Sequence, residues 1–128
     1  ERRLALELHG NTHGQNRGEL YLQIESTAPT LGTHVVRRAR FSMPLHGDHA
    51  IYFGPTVGTL KLTTLVPLPA ETEPRGRAGL QRWEVSGTFE VEIPVDPLFN
   101  VDRPPIQITR GRFERIELRQ VKPLPKSN

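Results

Sequence analysis

The chain has 128 residues, with 17 Lys and Arg against 14 Asp and Glu, a formal net charge of +3 and a pI of about 9.8. That length suits one domain with a core of its own, and the charge is far from that of a nucleic-acid tail while still admitting an anionic partner. The lack of cysteine excludes disulfides, thiolate zinc sites and a cysteine nucleophile.

No apolar stretch approaches the roughly 20 residues that cross a bilayer as a helix, and Glu1-Arg2-Arg3-Leu4 lacks the apolar core of a signal peptide. The start without methionine allows for a processed product from which a targeting signal has been removed. Twelve prolines and eleven glycines punctuate the chain densely, so many short strands and tight loops are expected.

Leu4, Leu6 and Leu8 alternate with Ala5 and Glu7, the period of two that marks a strand, ending at His9-Gly10. The segment from His9 to Gly18 has three glycines, two asparagines and no apolar residue, and reads as a loop. Leu20, Leu22 and Ile24 alternate with Tyr21, Gln23 and Glu25 in a second strand closed by Pro29 and Gly32, expected to pair antiparallel with the first. His34 to Met43 reads as one third strand, with Val35, Arg37, Ala39, Phe41 and Met43 on one face and Val36, Arg38, Arg40 and Ser42 on the other. An arginine on each face points to an edge, or to Arg37 reaching outward along the core rim.

Pro44 to His49 reads as a turn, and Ile51-Tyr52-Phe53 as a short apolar piece before Gly54-Pro55. From Val57 to Val66 a half-buried strand sets Gly58, Leu60 and Leu62 against Thr59, Lys61 and Thr63. Pro67 to Gly79 is expected to be an exposed loop. Trp83 to Pro94 carries the clearest pattern and organises the rest: Trp83, Val85, Gly87, Phe89, Val91 and Ile93 fall on one face, and Glu84, Ser86, Thr88, Glu90 and Glu92 on the other. After the irregular stretch Pro94 to Pro105, Ile106 and Ile108 share a face, Gly111 interrupts, and Phe113, Ile116 and Leu118 resume with a change of parity that reads as a bulge. Lys122 to Asn128 cannot continue a sheet.

The expectation is an all-β chain: a single antiparallel β-sandwich or partly open barrel of seven to eight short strands with little or no helix, spanning residues 1–122, and an irregular tail at 123–128.

Three segments of the second half, Gly58-Thr59-Leu60-Lys61-Leu62, Val85-Ser86-Gly87-Thr88-Phe89-Glu90-Val91 and Ile106-Gln107-Ile108-Thr109-Arg110-Gly111-Arg112-Phe113-Glu114, carry a likeness. Together they resemble the closing pattern of a family of small bacterial secreted proteins and lipoproteins, a strand with Gly-Thr-Phe followed by one with Thr-x-Gly-Arg-Phe. The resemblance implies an all-β exported domain, periplasmic, secreted or at the cell surface, and carries over no catalytic residue.

Three site chemistries are conceivable from the residue types present. His9 and His13, with His46, Asp48 and His49, are candidate metal ligands because neutral imidazole binds zinc, copper and nickel. His-x-x-x-His needs a helix to align its rings, however, and glycines flank these positions, so solvated turn residues are the simpler account. Arg37, Arg38, Arg40, Arg110, Arg112, Arg115 and Arg119 are candidates for a polyanion or nucleic-acid stripe, against which stands an ordinary salt-laced sheet face. A nucleophile beside a base is wanting, since neighbours in a strand, as at Thr12-His13 and Thr33-His34, face opposite ways. The expectation is therefore a non-enzymatic, exported module with a structural, assembly or binding role and no cofactor. Polyanion binding and histidine-loop metal binding are the alternatives. Self-association or a protein partner through an edge strand, at Leu4 to Leu8 or Ile51 to Phe53, goes with the first reading.

Overall fold

A computed structural model describes residues 4–12, 18–45, 48–70, 79–99 and 104–121. The described residues form eight strands: β1 (Leu4–Thr12), β2 (Gly18–Ser26), β3 (Gly32–Val35), β4 (Arg38–Leu45), β5 (Asp48–Pro55), β6 (Val57–Leu68), β7 (Arg82–Ile93) and β8 (Ile106–Gln120). A single 3-10 turn, Pro97–Phe99, is the only helical element among the described residues. The fold is all-β, as the alternation predicts. Every pairing is antiparallel, and the strands form one sheet in the order β3-β6-β7-β8-β1-β2-β4-β5. Of the two architectures open to the sequence, this is the curled, partly open barrel.

The curl follows from one short stretch of chain. β3 pairs with β6, whereas β4, which begins three residues after β3 ends, pairs with β2 on the opposite flank. At the switch, the Val36 N–H donates to the Gly58 carbonyl at 3.0 Å and the Arg37 N–H donates to the Gln23 carbonyl at 2.9 Å. Consecutive amides thus tie the two flanks of the sheet together. Thr56 reinforces the junction, its Oγ1 donating to the Val36 carbonyl at 3.1 Å. The expected single strand from His34 to Met43 is therefore two strands, and the break explains the arginine that fell on the core face. Val36 and Ala39 point inward while Arg37 and Arg38 between them are both exposed.

Strand limits and one sheet position also differ from the sequence pattern: β1 runs on to Thr12, paired with Gly18, so its ladder takes in both ends of the expected His9 to Gly18 loop. Pro44 and Leu45 extend β4 and Asp48 and His49 open β5, so strand pairing runs into the expected turn down to Leu45 opposite Asp48. β1 lies between β8 and β2, so Leu4 to Leu8 is an inner strand and not an edge. β5, with Ile51 to Phe53, is the last strand of the sheet, and its Phe53 N–H donates to the Pro94 carbonyl at 2.9 Å beyond the end of β7.

The core fills the inside of the curl. Trp83, Val85, Phe89, Val91 and Ile93 are all buried together, with Leu6, Leu8, Leu20, Leu22, Ile24, Phe41, Leu60, Leu62 and Leu118 facing them from the other strands. Truncating a fully buried residue of this set, such as Ile93, would cost about 2–5 kcal/mol through lost burial and the cavity left behind.

Three bulges shape the sheet. Thr63 is the extra residue of β6, since Leu62 pairs with Gly87 and Thr64 with Ser86. On β8, three steps from Phe113 to Ile116 match two from Gly87 to Val85, and three from Ile108 to Gly111 match two from Val91 to Phe89. Arg115 and Arg110 lie inside these intervals with φ of 50° and 56°. The Arg115 N–H freed from the ladder donates to Ser86 Oγ at 3.0 Å. The sequence pattern signalled the first of the two at Gly111. Phe113 and Ile116 also differ in parity, and that second change is the bulge at Arg115.

Candidate functional site

β1 and β8 pair only at Leu6 with Gln120, Glu7 with Arg119 and Leu8 with Leu118. Below that point the Val121 N–H donates to the Ala5 carbonyl at 2.8 Å, and above it the strands part. The local cause lies in β8, where two bulges each add bend and twist to the strand. Gly10 on the facing strand has no side chain to fill the opening, and a Cβ there would sit 3.7 Å from Ile116 Cδ1.

The result is a cleft of about 720 Å³. Leu8, Leu20, Leu22, Phe89, Phe113 and Ile116 form its apolar floor, and Asn11, Arg112 and Glu114 supply the polar groups. Arg112 Nη2 donates to Glu114 Oε1 at 2.6 Å, with both side chains more than two-thirds exposed. Among the described residues that line it, Arg112 and Glu114 are the only ionisable ones, and no serine, threonine or histidine stands with them. Such a lining can bind and orient a molecule by shape and burial. The sequence pattern assigned these leucines and phenylalanines to the core and could not show that the strands above them separate.

The candidate arginines do not form one stripe. Arg37, Arg38 and Arg40 stand on the β4 flank, while Arg110, Arg112, Arg115 and Arg119 stand on β8, with β1 and β2 between the two groups. Glu7, Glu19 and Glu25 lie on those intervening strands, alternating with their buried leucines and isoleucine. Across the outer face, the ladders set His9 opposite Tyr21, Tyr21 opposite Arg40 and Arg40 opposite Phe53. The His9 and Tyr21 rings stack at 4.1 Å and 3°, Arg40 covers Tyr21 at 5.9 Å, and Arg38 covers Phe53 at 5.1 Å. These contacts take up ring faces on which a nucleic-acid base would have to stack. Burial raises the Tyr21 phenol above its ordinary value, helped by the Glu19 carboxylate beside it, whose Oε2 accepts the Tyr21 hydroxyl at 3.3 Å.

Two of the candidate histidines can be placed on the sheet. His9 stands on β1 and His49 on β5, three strand spacings apart across the sheet and four residues off the His9 row, which meets β5 at Phe53. His13 and His46 lie outside the described residues, and Asp48 is placed as the first residue of β5. Among the described residues no group of three or more histidines and carboxylates is arranged to hold a metal ion. His9 Nε2 and Glu117 Oε1, one on each strand at the parting of β1 and β8, are both shielded from solvent without a hydrogen-bond partner. Glu19 Oε2 lies 4.0 Å from His9 Nε2.

Comparison of the chain with known proteins gives no match among protein-family models, curated proteins or solved structures.

Proposed function

We propose that the chain is a non-enzymatic binding module that takes an apolar ligand into the cleft between β1 and β8. The observation that carries this reading is the cleft itself, an apolar floor reached where two neighbouring strands stop pairing. Its volume falls within the range of roughly 300–1,000 Å³ usual for ligand sites. The polyanion reading is weaker, because its arginines fall in two groups with carboxylates between them and its aromatic rings cover one another. Export to the periplasm or cell surface belongs to the same proposal and rests on the sequence resemblance.

The test is displacement of a fluorescent apolar probe. Anilinonaphthalene sulfonate should bind saturably and be displaced by dodecanoate. Gly10→Phe should abolish binding while leaving the circular dichroism unchanged, because Gly10 lines the cleft and a Cβ there meets nothing nearer than Ile116 Cδ1 at 3.7 Å. Probe binding that is not saturable, or that survives in Gly10→Phe, removes the reading.

A further inference from the structure

The cleft has one wall that a pocket for a small apolar molecule does not require. From Ile106 to Glu117, the side of β8 turned away from β7 has no strand partner among the described residues, since β1 meets β8 only at Leu118 to Gln120. Main-chain N–H and C=O groups along that edge are thus left for a partner, in a row interrupted at the bulges of Arg110 and Arg115, and the open stretch between them is a template for an added strand. The apolar floor lies beside it, where alternate side chains of an inserted strand would be buried. The geometry points to an extended peptide segment as the occupant, laid as a strand along β8 in the opening toward β1. This rests on the reading of the cleft as a binding site and narrows it to one class of ligand.

Charge selects among peptides. Arg110 and Arg115 on this edge strand are exposed, and neither has an ion-pair partner among the described residues, whereas Arg112 is held by Glu114. A second copy approaching by the same edge would set arginines near arginines, and like charges opposite one another destabilise a strand pair. Acidic side chains at alternate positions of an incoming strand would meet them favourably. The occupant is therefore a segment of another protein that alternates apolar residues, turned to the floor, with acidic residues turned to solvent.

The experiment titrates the full chain with a blocked peptide of alternating valine and glutamate, about eight residues long as many strands are. Amide hydrogen exchange reads where the peptide lies. The expected result is saturable binding, with protection gained between Ile106 and Glu117. An N-methylated counterpart keeps the side chains but loses main-chain donors, and should bind at least about tenfold more weakly. The double variant Arg110→Asp/Arg115→Asp, which keeps a residue type that tolerates positive φ, should lose a similar factor of about ten for the acidic peptide.

Equal binding of the two peptides, or binding without protection along β8, overturns the strand. If dodecanoate displaces the fluorescent probe but the peptide does not bind, the strand falls while the cleft remains a site for small apolar molecules. If neither binds, both readings fall together. A concentration-dependent dimer that protects β8 and resists the peptide gives the edge to a second copy and overturns the inference as well.

Discussion

The ring of Phe89 occupies the space where Gly111, its partner across β7 and β8, would carry a side chain. Two rungs away the relation is reversed, with Phe113 closing over Gly87, and the two rings meet at 6.3 Å. Each phenylalanine shields the backbone of the opposing glycine, a device that restores to a glycine in a sheet the packing it lacks. Gly111→Ala should therefore displace Phe89 and destabilise the fold by about 1–3 kcal/mol. Gly87→Ala should cost more, because the new methyl would also meet the Lys61 carbonyl, which is backbone and cannot swing aside. Chemical denaturation of Gly111→Ala, Phe89→Ala and the double variant checks this. The double variant should be less unstable than the sum of the singles by on the order of 1 kcal/mol.

The partner switch at Val36 and Arg37 makes a second prediction. Arg37→Pro removes the amide that donates to Gln23 and leaves that carbonyl without its donor. A loss of about 1–3 kcal/mol is expected. Hydrogen exchange should quicken along β2 and β4 before it quickens along β7 and β8. Uniform loss of protection across the sheet would mean that the switch is not what holds the two flanks.

A third concerns alkaline pH. The folded state holds Tyr21 protonated beyond the ordinary phenol value, chiefly through burial and then through the charge and hydrogen bond of Glu19, with Glu7 adding and Arg40 opposing. The unfolded chain loses that proton first, so it binds fewer protons than the native state in this window. The contribution of Tyr21 to stability is therefore complete below the unfolded pKa and is lost as pH rises through the folded one. Glu19→Gln should lower the Tyr21 pKa without returning it fully to the ordinary value, since burial remains. Tyrosinate absorbance as a function of pH, with Tyr52→Phe as background, reads the shift.

His9→Phe supplies a fourth test. The substitution keeps an aromatic ring against Tyr21 and removes a shielded nitrogen that lacks a partner. Stability should stay the same or rise by up to about 1 kcal/mol. Thermal melts with and without added zinc should be superimposable for both proteins. A zinc-dependent rise in the parent chain that His9→Phe abolishes would restore His9 as a metal ligand.

Much of the sheet was legible because side-chain alternation is a property of a few adjacent residues. Trp83, Val85, Phe89, Val91 and Ile93 read as one face from their spacing alone, and they are buried together. Even the bulges of β8 were written as parity changes between Ile108, Phe113 and Ile116, although Gly111 drew notice to only one of them. His34 to Met43 misled because alternation on both sides of Val36 and Arg37 looks continuous when the change of partner is invisible.

The sequence by itself determined that this chain makes antiparallel strands and which side of most of them is apolar, since the pleat assigns faces residue by residue. Only the tertiary structure decided that β1 stops pairing with β8 after Leu8, that an apolar cleft opens between those two strands, and that the arginines fall on two flanks. Those outcomes depend on long-range register and on how much bend the bulges at Arg110 and Arg115 give β8; a period of two marks where a bulge falls but sets neither.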